Sequence, residues 1–153
     1  MDLTHDELAG IVDLFGALPE PTLQRAVEEL AFRQGEEIDA EALDEQIERA
    51  REAFYLLGVP GEPSLLVPGP ASFPSLPEGA ADLPHVLDVE ERSVSDEVLE
   101  RALRTQLARA TAQTTDPQEL ADLMDVTYDA EAWTDLDLAD VRDRLENARP
   151  GPR

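Results

Sequence analysis

Lysine is absent from this chain of 153 residues, and all 12 of its basic residues are arginine. Set against 35 aspartate and glutamate residues, they leave a net charge of −23 at pH 7. In dilute buffer such a chain repels itself, whereas molar salt shortens the range of the repulsion to about 3 Å. The composition therefore predicts a protein adapted to a cytosol of molar KCl. In ordinary salt it also disfavours binding to nucleic acid and anionic membranes, an argument that weakens in molar salt.

Cysteine is also absent, which excludes disulfide bonds, thiolate catalysis and cysteine-ligated zinc. Aromatic residues are few, with four Phe, two Tyr and one Trp, so Leu, Ala and Val supply most of the apolar volume. The first residues show no basic stretch followed by an apolar run, and no stretch approaches the roughly 20 apolar residues of a membrane-spanning helix. We therefore expect a cytoplasmic protein that does not associate with a membrane.

The hydrophobic periodicity predicts a mainly α-helical chain of about six helices in two three-helix halves. The predicted helix starts carry typical capping residues, which are Thr4 with Glu7, Asp39, Ser95, and Asp116 with Pro117, while Pro19 and Pro21 suit the first turn of the second helix. The last helix is expected to open at Thr134 or Asp135. These signals predict a three-helix part at 1–58, a crossover at 59–92 and a helical part at 93–149. We expect the last part to pack on the first, so that the chain forms one compact domain.

Residues 59–84 carry seven of the 12 prolines, a density that is incompatible with a helix or a central strand. Apolar residues, Phe73 among them, recur through this segment. We therefore expect an ordered, mostly extended loop that lies over apolar surface. Two short strands around 54–59 and 64–67 would form a hairpin joined by a Pro-Gly-Glu-Pro turn.

Three helices followed by a hairpin is the element order of a winged helix-turn-helix. In that fold the third helix, predicted here at 39–57, reads DNA. The exposed face of this helix is acidic and offers only Arg49 and Arg51, and arginine contacts to bases need the arginines to be present. A winged-helix fold in this chain would therefore favour protein–protein contact over direct DNA reading.

Asp82, His85 and Asp88, here called the Asp82 cluster, are the one group with ligand chemistry. Carboxylate and imidazole together suit a divalent metal or an acid–base pair, and on one helical turn the three would share a face. Pro84 instead biases Leu83 toward extended backbone, so Asp82 fits a turn or cap equally well, and His85 fits a hydrogen-bonding anchor for the loop. With two His and no Cys, we expect no structural zinc site.

Residues 101–115 contain three arginines and no acidic residue, in a chain otherwise rich in carboxylate. On a helix, Arg101, Arg104 and Arg109 point away from the predicted apolar stripe, and we call them the arginine face. Such a face suits an acidic protein partner or the phosphates of a nucleic acid. Alternatively, the arginines pair with carboxylates of the N-terminal helices.

Three stretches of the chain resemble a known family. They are LTHDELAGIVDLFGAL at 3–18, GPASFP at 69–74 and DLPHVLDV at 82–89. The family that they resemble is an uncharacterised family of acidic haloarchaeal proteins, a domain of unknown function, and the resemblance covers most of the chain. It implies a haloarchaeal source and supplies no catalytic residue, cofactor or partner.

No phosphate-binding glycine loop, nucleophile elbow or dinucleotide fingerprint occurs in the sequence, so we expect neither enzymatic activity nor a cofactor. We expect a small interaction or adaptor protein of unknown process, as a monomer or a small homo-oligomer. It would bind an unknown protein partner through residues 60–88, including Phe73 and His85, and through the arginine face. The first alternative is a winged-helix regulator associated with nucleic acid, which would use Arg49 and Arg51. The second is a metal-assisted enzyme centred on the Asp82 cluster.

Overall fold

The computed structural model describes residues 1–148, and the chain divides into two compact units, Met1–Val94 and a second that begins at Ser95. The first unit contains α1 (His5–Phe15), α2 (Glu20–Arg33), α3 (Ala40–Glu52), β1 (Leu56–Val59), β2 (Leu65–Pro68) and α4 (Leu83–Val86). The second contains α5 (Asp96–Ala112), α6 (Pro117–Trp133) and α7 (Ala139–Ala148).

The predictions of a mainly helical chain and of a short hairpin after the third helix are confirmed. Seven helices occur within residues 1–148, because a single short turn adds to the predicted six. The expected packing of the two helical halves into one domain stays a prediction. The last residue of the predicted C-terminal part, 149, lies outside the described residues.

The predicted caps start the helices. Thr4 Oγ1 accepts the backbone amide of Glu7 at 3.0 Å, and Glu7 Oε1 accepts the backbone amide of Thr4 at 3.0 Å, which completes a capping box. The side chains of Asp39, Ser95 and Asp116 likewise each accept an amide of the first helical turn. The starts of α1, α3, α5 and α6 therefore follow from local hydrogen bonding that the sequence encodes.

Helix α3 ends at Glu52, before the predicted end at residue 57. Phe54 adopts a φ of 65°, outside the helical region, while its side chain is 1% exposed. The amide of Tyr55 donates to the carbonyl of Ala50, and the chain then enters β1. The predicted helix was too long, since the chain leaves the helical conformation by Phe54, whose side chain is buried.

The hairpin is antiparallel, with Leu56 of β1 opposite Pro68 of β2. The short connection between α1 and α2 also pairs with it, because Leu18 and Leu66 exchange backbone hydrogen bonds of 3.1 and 2.8 Å. The hairpin follows α3 directly in the chain. It is also hydrogen-bonded to Leu18, which precedes α2.

The core of the first unit lies between its three long helices and the hairpin. Its largest fully buried side chains include Phe15, Phe54, Leu8, Ile11, Leu18, Leu23, Leu30, Leu43, Ile47, Leu56 and Leu57. Each such side chain contributes about 1.5–3 kcal/mol through removal from water, so these residues are the main source of stability in this unit.

Helix α4 corrects the expectation that proline excludes helix from residues 59–84. Pro84 occupies the first turn of α4, where a missing N–H costs no intrahelical hydrogen bond. Leu83 is therefore helical rather than extended, and its side chain is fully buried. This burial holds the short turn on the first unit.

The second unit packs α5, α6 and α7 around an apolar core whose buried members include Leu103, Leu107, Leu120, Leu123, Leu138, Val141 and Leu145. Helix α7 begins at Ala139 rather than at the predicted Thr134 or Asp135. Glu131 Oε2 accepts the backbone amide of Leu138 at 2.7 Å. A side chain of α6 therefore accepts a hydrogen bond from the backbone amide just before α7. Local sequence patterns do not predict this contact, because it joins two separate helices.

Candidate interaction surfaces

Residues 60–88, here called the Pro-rich segment, are hydrogen-bonded near their middle to the start of α1. Asp6 Oδ1 accepts the backbone amide of Phe73 at 2.9 Å, and the carbonyl of Asp6 accepts the amide of Ser75 at 3.0 Å. A Cβ added to Gly10 would lie 2.2 Å from the carbonyl oxygen of Ser75, so the loop approaches α1 as closely as glycine permits. The predicted ordered loop is thus fixed directly on α1.

The same segment is then bonded to the end of α2. Gln34 Nε2 donates to the carbonyl of Glu78 at 2.9 Å, and both terminal guanidinium nitrogens of Arg33 donate to Asp82 Oδ1 at 2.9 Å. Pro77 and Ala80 are buried between these contacts. Hydrogen bonds therefore hold the segment from Phe73, which contacts the start of α1, to Asp82, which contacts the end of α2.

Large apolar side chains are exposed along this segment and beside it. Phe73 is 82% exposed, Leu76 44% and Val86 45%, while Phe32, which precedes Arg33 on α2, is 79% exposed. We call Phe32, Phe73, Leu76 and Val86 the exposed apolar set. The fifth large apolar side chain exposed within residues 1–148 is Tyr128 of the second unit, whose ring lies under the Arg142 guanidinium at 4.4 Å.

The Asp82 cluster does not converge. Asp82 is engaged by Arg33, while His85 is exposed and its side chain makes no hydrogen bond or ion pair to any described residue. Residues 1–148 contain no group of three or more His, Asp or Glu side chains placed to hold a metal ion. The loop is anchored by Asp6, Gln34 and Arg33, so the expectation that His85 anchors it is wrong.

The three residues of the arginine face have different environments in the second unit. Arg104 Nε donates to Glu100 Oε1 at 3.3 Å, and its terminal nitrogens donate to Asp140 Oδ2 at 3.1 Å and to the carbonyl of Asp137 at 2.8 Å. Burial lowers the pKa of Arg104, but the hydrogen bonds to Asp140 and Glu100 more than offset this, so its pKa is raised. Arg104 therefore joins α5 to the start of α7, and its partners are not the carboxylates of the N-terminal helices.

Arg101 and Arg109 remain exposed, and neither forms an ion pair with a residue in the range 1–148. They lie on the same helix eight residues apart, a rise of about 12 Å. No acidic residue occurs between residues 101 and 115, so no carboxylate on this stretch of α5 competes for them. These two arginines are the part of the predicted face that is available for a partner.

The two arginines of α3 also lie against other residues of the first unit. Arg49 lies 3.6 Å from Glu45 on the same helix, and both side chains are about 70% exposed. A Cβ added to Gly58 of β1 would lie 2.7 Å from a terminal nitrogen of Arg51, so this side chain lies along the hairpin. The outward residues of α3 include the exposed carboxylates Glu41, Asp44, Glu45, Glu48 and Glu52.

A shielded ion pair in the second unit was missed by sequence reasoning. Arg142 donates to Glu131 at 2.8 Å and also approaches the hydroxyl of Thr127, which is fully buried. The hydrogen bonds from Arg142 and from the Leu138 amide hold the pKa of Glu131 below its ordinary value. Since the partners lie on α6 and α7, no helical spacing within either element reveals the pair.

One family model, described as a family of unknown function (DUF7109), matches residues 6–150. The chain belongs to this family. The DUF7109 match extends over both units and confirms the predicted membership of an uncharacterised family. Comparison with curated proteins and with solved structures finds no match.

Membership of DUF7109 assigns no activity to the chain. In the part of the chain that the structure describes, no helix has the length and apolar character needed to span a membrane. The candidate surfaces are the exposed apolar set on the first unit and Arg101 with Arg109 on the second.

Proposed function

We propose that this protein is a small, non-enzymatic interaction or adaptor protein that binds a partner protein through the Pro-rich segment. The observation that carries the proposal is Phe73, which is 82% exposed although its backbone amide is bonded to Asp6. A phenylalanine side chain gains about 1.5–3 kcal/mol on full burial. A partner that covers this ring recovers that free energy without having to order the loop first.

The distribution of exposed apolar residues supports the same proposal. Isolated apolar residues at a surface are common and need no explanation. Here, however, four of the five large ones exposed in the described chain lie on the Pro-rich segment or on the helix that it contacts. Two of the four phenylalanines, Phe32 and Phe73, are in this set, while the other two are buried. This concentration of exposed apolar residues in one segment and the helix that it contacts supports an interaction site there.

The first unit supports a winged-helix interpretation in which the fold serves protein contact. Three helices precede the hairpin, and Leu18, ahead of α2, pairs with β2 as a third short strand would. The outward face of α3, which reads DNA in that fold, carries five exposed carboxylates. Its Arg49 already lies beside Glu45, which leaves little positive charge for a phosphate backbone.

The element order also favours a second candidate, a winged-helix regulator associated with nucleic acid. Fluorescence anisotropy with labelled duplex DNA in 1 M KCl tests it directly, with wild type compared with Arg49→Gln and Arg51→Gln. The interaction proposal predicts no binding by any of the three proteins. Binding that either substitution abolishes would establish the second candidate instead.

We infer that the working environment is a haloarchaeal cytoplasm. The absence of lysine, the net charge of −23 and the absence of cysteine support this inference. In such a solvent the repulsion between carboxylates is screened, while apolar contacts such as those of Phe73 persist. Arg101 and Arg109 are candidates for a second, charge-dependent contact.

Affinity purification of the tagged protein from its own lysate in molar KCl tests the interaction proposal. Wild type is compared with Phe73→Ser, and Tyr128→Ser serves as the control because it removes an exposed ring from the other unit. We expect a stoichiometric, nuclease-resistant partner that Phe73→Ser loses and Tyr128→Ser retains. A partner retained equally by all three proteins, or no stoichiometric partner, would contradict the proposal.

A further inference from the structure

Exposed carboxylates accompany the exposed apolar set and indicate the chemistry of its partner. Glu28 lies one turn before Phe32 on α2, while Glu78 and Asp88 each follow a member of the set by two residues. All three carboxylates are exposed, and none forms an ion pair with another described residue. A partner that covers the apolar side chains therefore meets carboxylates that the fold has left without a counter-charge.

The basic residues of this region do not neutralise those carboxylates. Arg33 is held by Asp82 at 2.9 Å and lies 3.8 Å from Glu29. Arg25, three residues before Glu28, and Arg92, four residues after Asp88, are the nearest other arginines in the sequence, and neither forms an ion pair within residues 1–148. Residues 1–94 carry 21 acidic residues against five arginines, so the surroundings of the set are strongly negative.

We propose that the exposed apolar set binds a segment of another protein in which aromatic or aliphatic residues are flanked by arginine. This inference rests on the proposed interaction function and adds the chemical class of the partner. The apolar residues of the partner cover Phe32, Phe73, Leu76 and Val86, and its arginines pair with Glu28, Glu78 and Asp88.

Charge complementarity favours this occupant over a second copy of the chain. A second copy would bring one net-negative first unit against another, and like charges that face each other across an interface disfavour association. Molar salt removes the long-range part of that repulsion but not the cost of carboxylates in direct contact. Arginine suits contact pairing in concentrated salt because its planar guanidinium binds a carboxylate in a bidentate manner and is weakly hydrated.

The experiment is a selection of peptides from a random messenger-RNA-display library against the immobilised full chain in 1 M KCl. We expect selected peptides to be enriched in Leu, Phe or Trp together with Arg. One selected peptide is then titrated against wild type and against variants by fluorescence anisotropy. Since a buried phenylalanine contributes strongly to association, Phe73→Ser and Phe32→Ser should each weaken binding at least about tenfold.

The carboxylates are tested in the same titration. The double variant Glu28→Gln and Glu78→Gln should weaken binding about threefold to tenfold, as expected for two exposed ion pairs. The matched control, Glu119→Gln with Asp122→Asn, removes two exposed carboxylates from the second unit and should leave the affinity unchanged. Circular dichroism in the same buffer verifies that every variant is folded.

The outcomes separate this inference from the proposed function. Peptides that need Phe73 but contain no excess of arginine would overturn the partner class and leave the interaction function standing. Peptides whose affinity is unchanged by Phe32→Ser and Phe73→Ser would overturn both the partner class and the interaction function. A selection that enriches no peptide would overturn both as well. Concentration-dependent dimerisation abolished by Phe73→Ser would show that a second copy covers the set, which also overturns the inference.

Discussion

Arg104 of α5 and Asp140 of α7 form an ion pair of 3.1 Å that joins two helices of the second unit. The same guanidinium also donates hydrogen bonds to the Glu100 side chain and to the carbonyl of Asp137. Three arginines that are equivalent in sequence thus have different environments, since Arg101 and Arg109 stay exposed. Tertiary contacts, rather than helical spacing, decide which arginine of the face is structural.

Replacement of Arg104 should therefore destabilise the second unit, and replacement of Arg109 should not. We expect Arg104→Gln to lower the free energy of unfolding by about 1 kcal/mol, since the ion pairs are partly exposed and therefore weakened by solvent. Arg109→Gln is the matched control and should change it by less than about 0.5 kcal/mol. Denaturant titration in 2 M KCl, followed by the fluorescence of Trp133 at the end of α6, measures both. Equal effects of the two substitutions would refute the assigned role of Arg104.

Gly10→Ala should loosen the contact between α1 and the Pro-rich segment. The added Cβ would lie 2.2 Å from the backbone oxygen of Ser75, so the loop must move, at a cost of about 1–3 kcal/mol. Gly58→Ala is the control, because the atoms nearest to its added Cβ belong to the guanidinium of the flexible Arg51 side chain rather than to backbone. Thermal unfolding and hydrogen exchange at residues 72–76 measure the effect. A Gly10→Ala protein as stable as wild type would contradict the close approach.

Acid should weaken the second unit through Glu131. Arg142 and the Leu138 amide lower the pKa of this carboxyl in the folded state. A carboxyl with a depressed folded pKa contributes stability that is complete above its unfolded pKa and is lost as the pH falls through the folded pKa. The contribution of Glu131 to the stability of the second unit should therefore be lost as the pH falls below about 4.5.

The Glu131→Gln variant isolates this contribution. It should be less stable than wild type at pH 7, and the difference between the two proteins should shrink as the pH falls below 4.5. Asp129→Asn serves as the control, since Asp129 is exposed and forms no ion pair within the described part of the chain. Unfolding in KCl followed by Trp133 fluorescence between pH 3 and 7 provides the measurement. A constant difference across this range would count against the ion pair.

Salt should control the folding of the whole chain. With a net charge of −23, we expect helical circular dichroism to be lost below about 0.5 M KCl, where carboxylates on neighbouring helices repel one another. The same titration with sodium chloride separates general screening from a specific effect of potassium. Full helicity in salt-free buffer would refute the salt-adapted interpretation.

Much of the secondary structure could be predicted because its signals are local. The capping box of Thr4 and Glu7 starts α1, and Asp116 with Pro117 starts α6, as side-chain chemistry at a helix start requires. The end of α3 was ambiguous, since the sequence pattern fitted both a helix to residue 57 and a strand from residue 54. The structure ends the helix at Glu52, and Phe54 combines a positive φ with a buried side chain. At the start of α7, the amide of Leu138 is bonded to Glu131 of another helix, a long-range contact, while the amide of Ala139 is bonded to the nearby Asp137 side chain.

The candidate site was predictable as a segment but not in its details. Proline density and recurring apolar residues identified the loop that carries Phe73. Sequence could not reveal that Asp6 would fix that loop, because the two residues are 67 positions apart. Such contacts exist only once the helices have packed. The exposure of Phe32 was by contrast readable from the sequence, because this residue lies in an amphipathic helix outside its apolar stripe.

The central claim is that the ring at position 73 meets a protein partner, and photo-crosslinking in the living host tests it most directly. p-Benzoylphenylalanine replaces Phe73 in one strain and Tyr128 in a control strain, so that both probes occupy exposed aromatic positions. The account predicts a discrete crosslinked protein at position 73 and none at position 128 after irradiation. Equal crosslinking at both positions, or no crosslink at position 73, would contradict it.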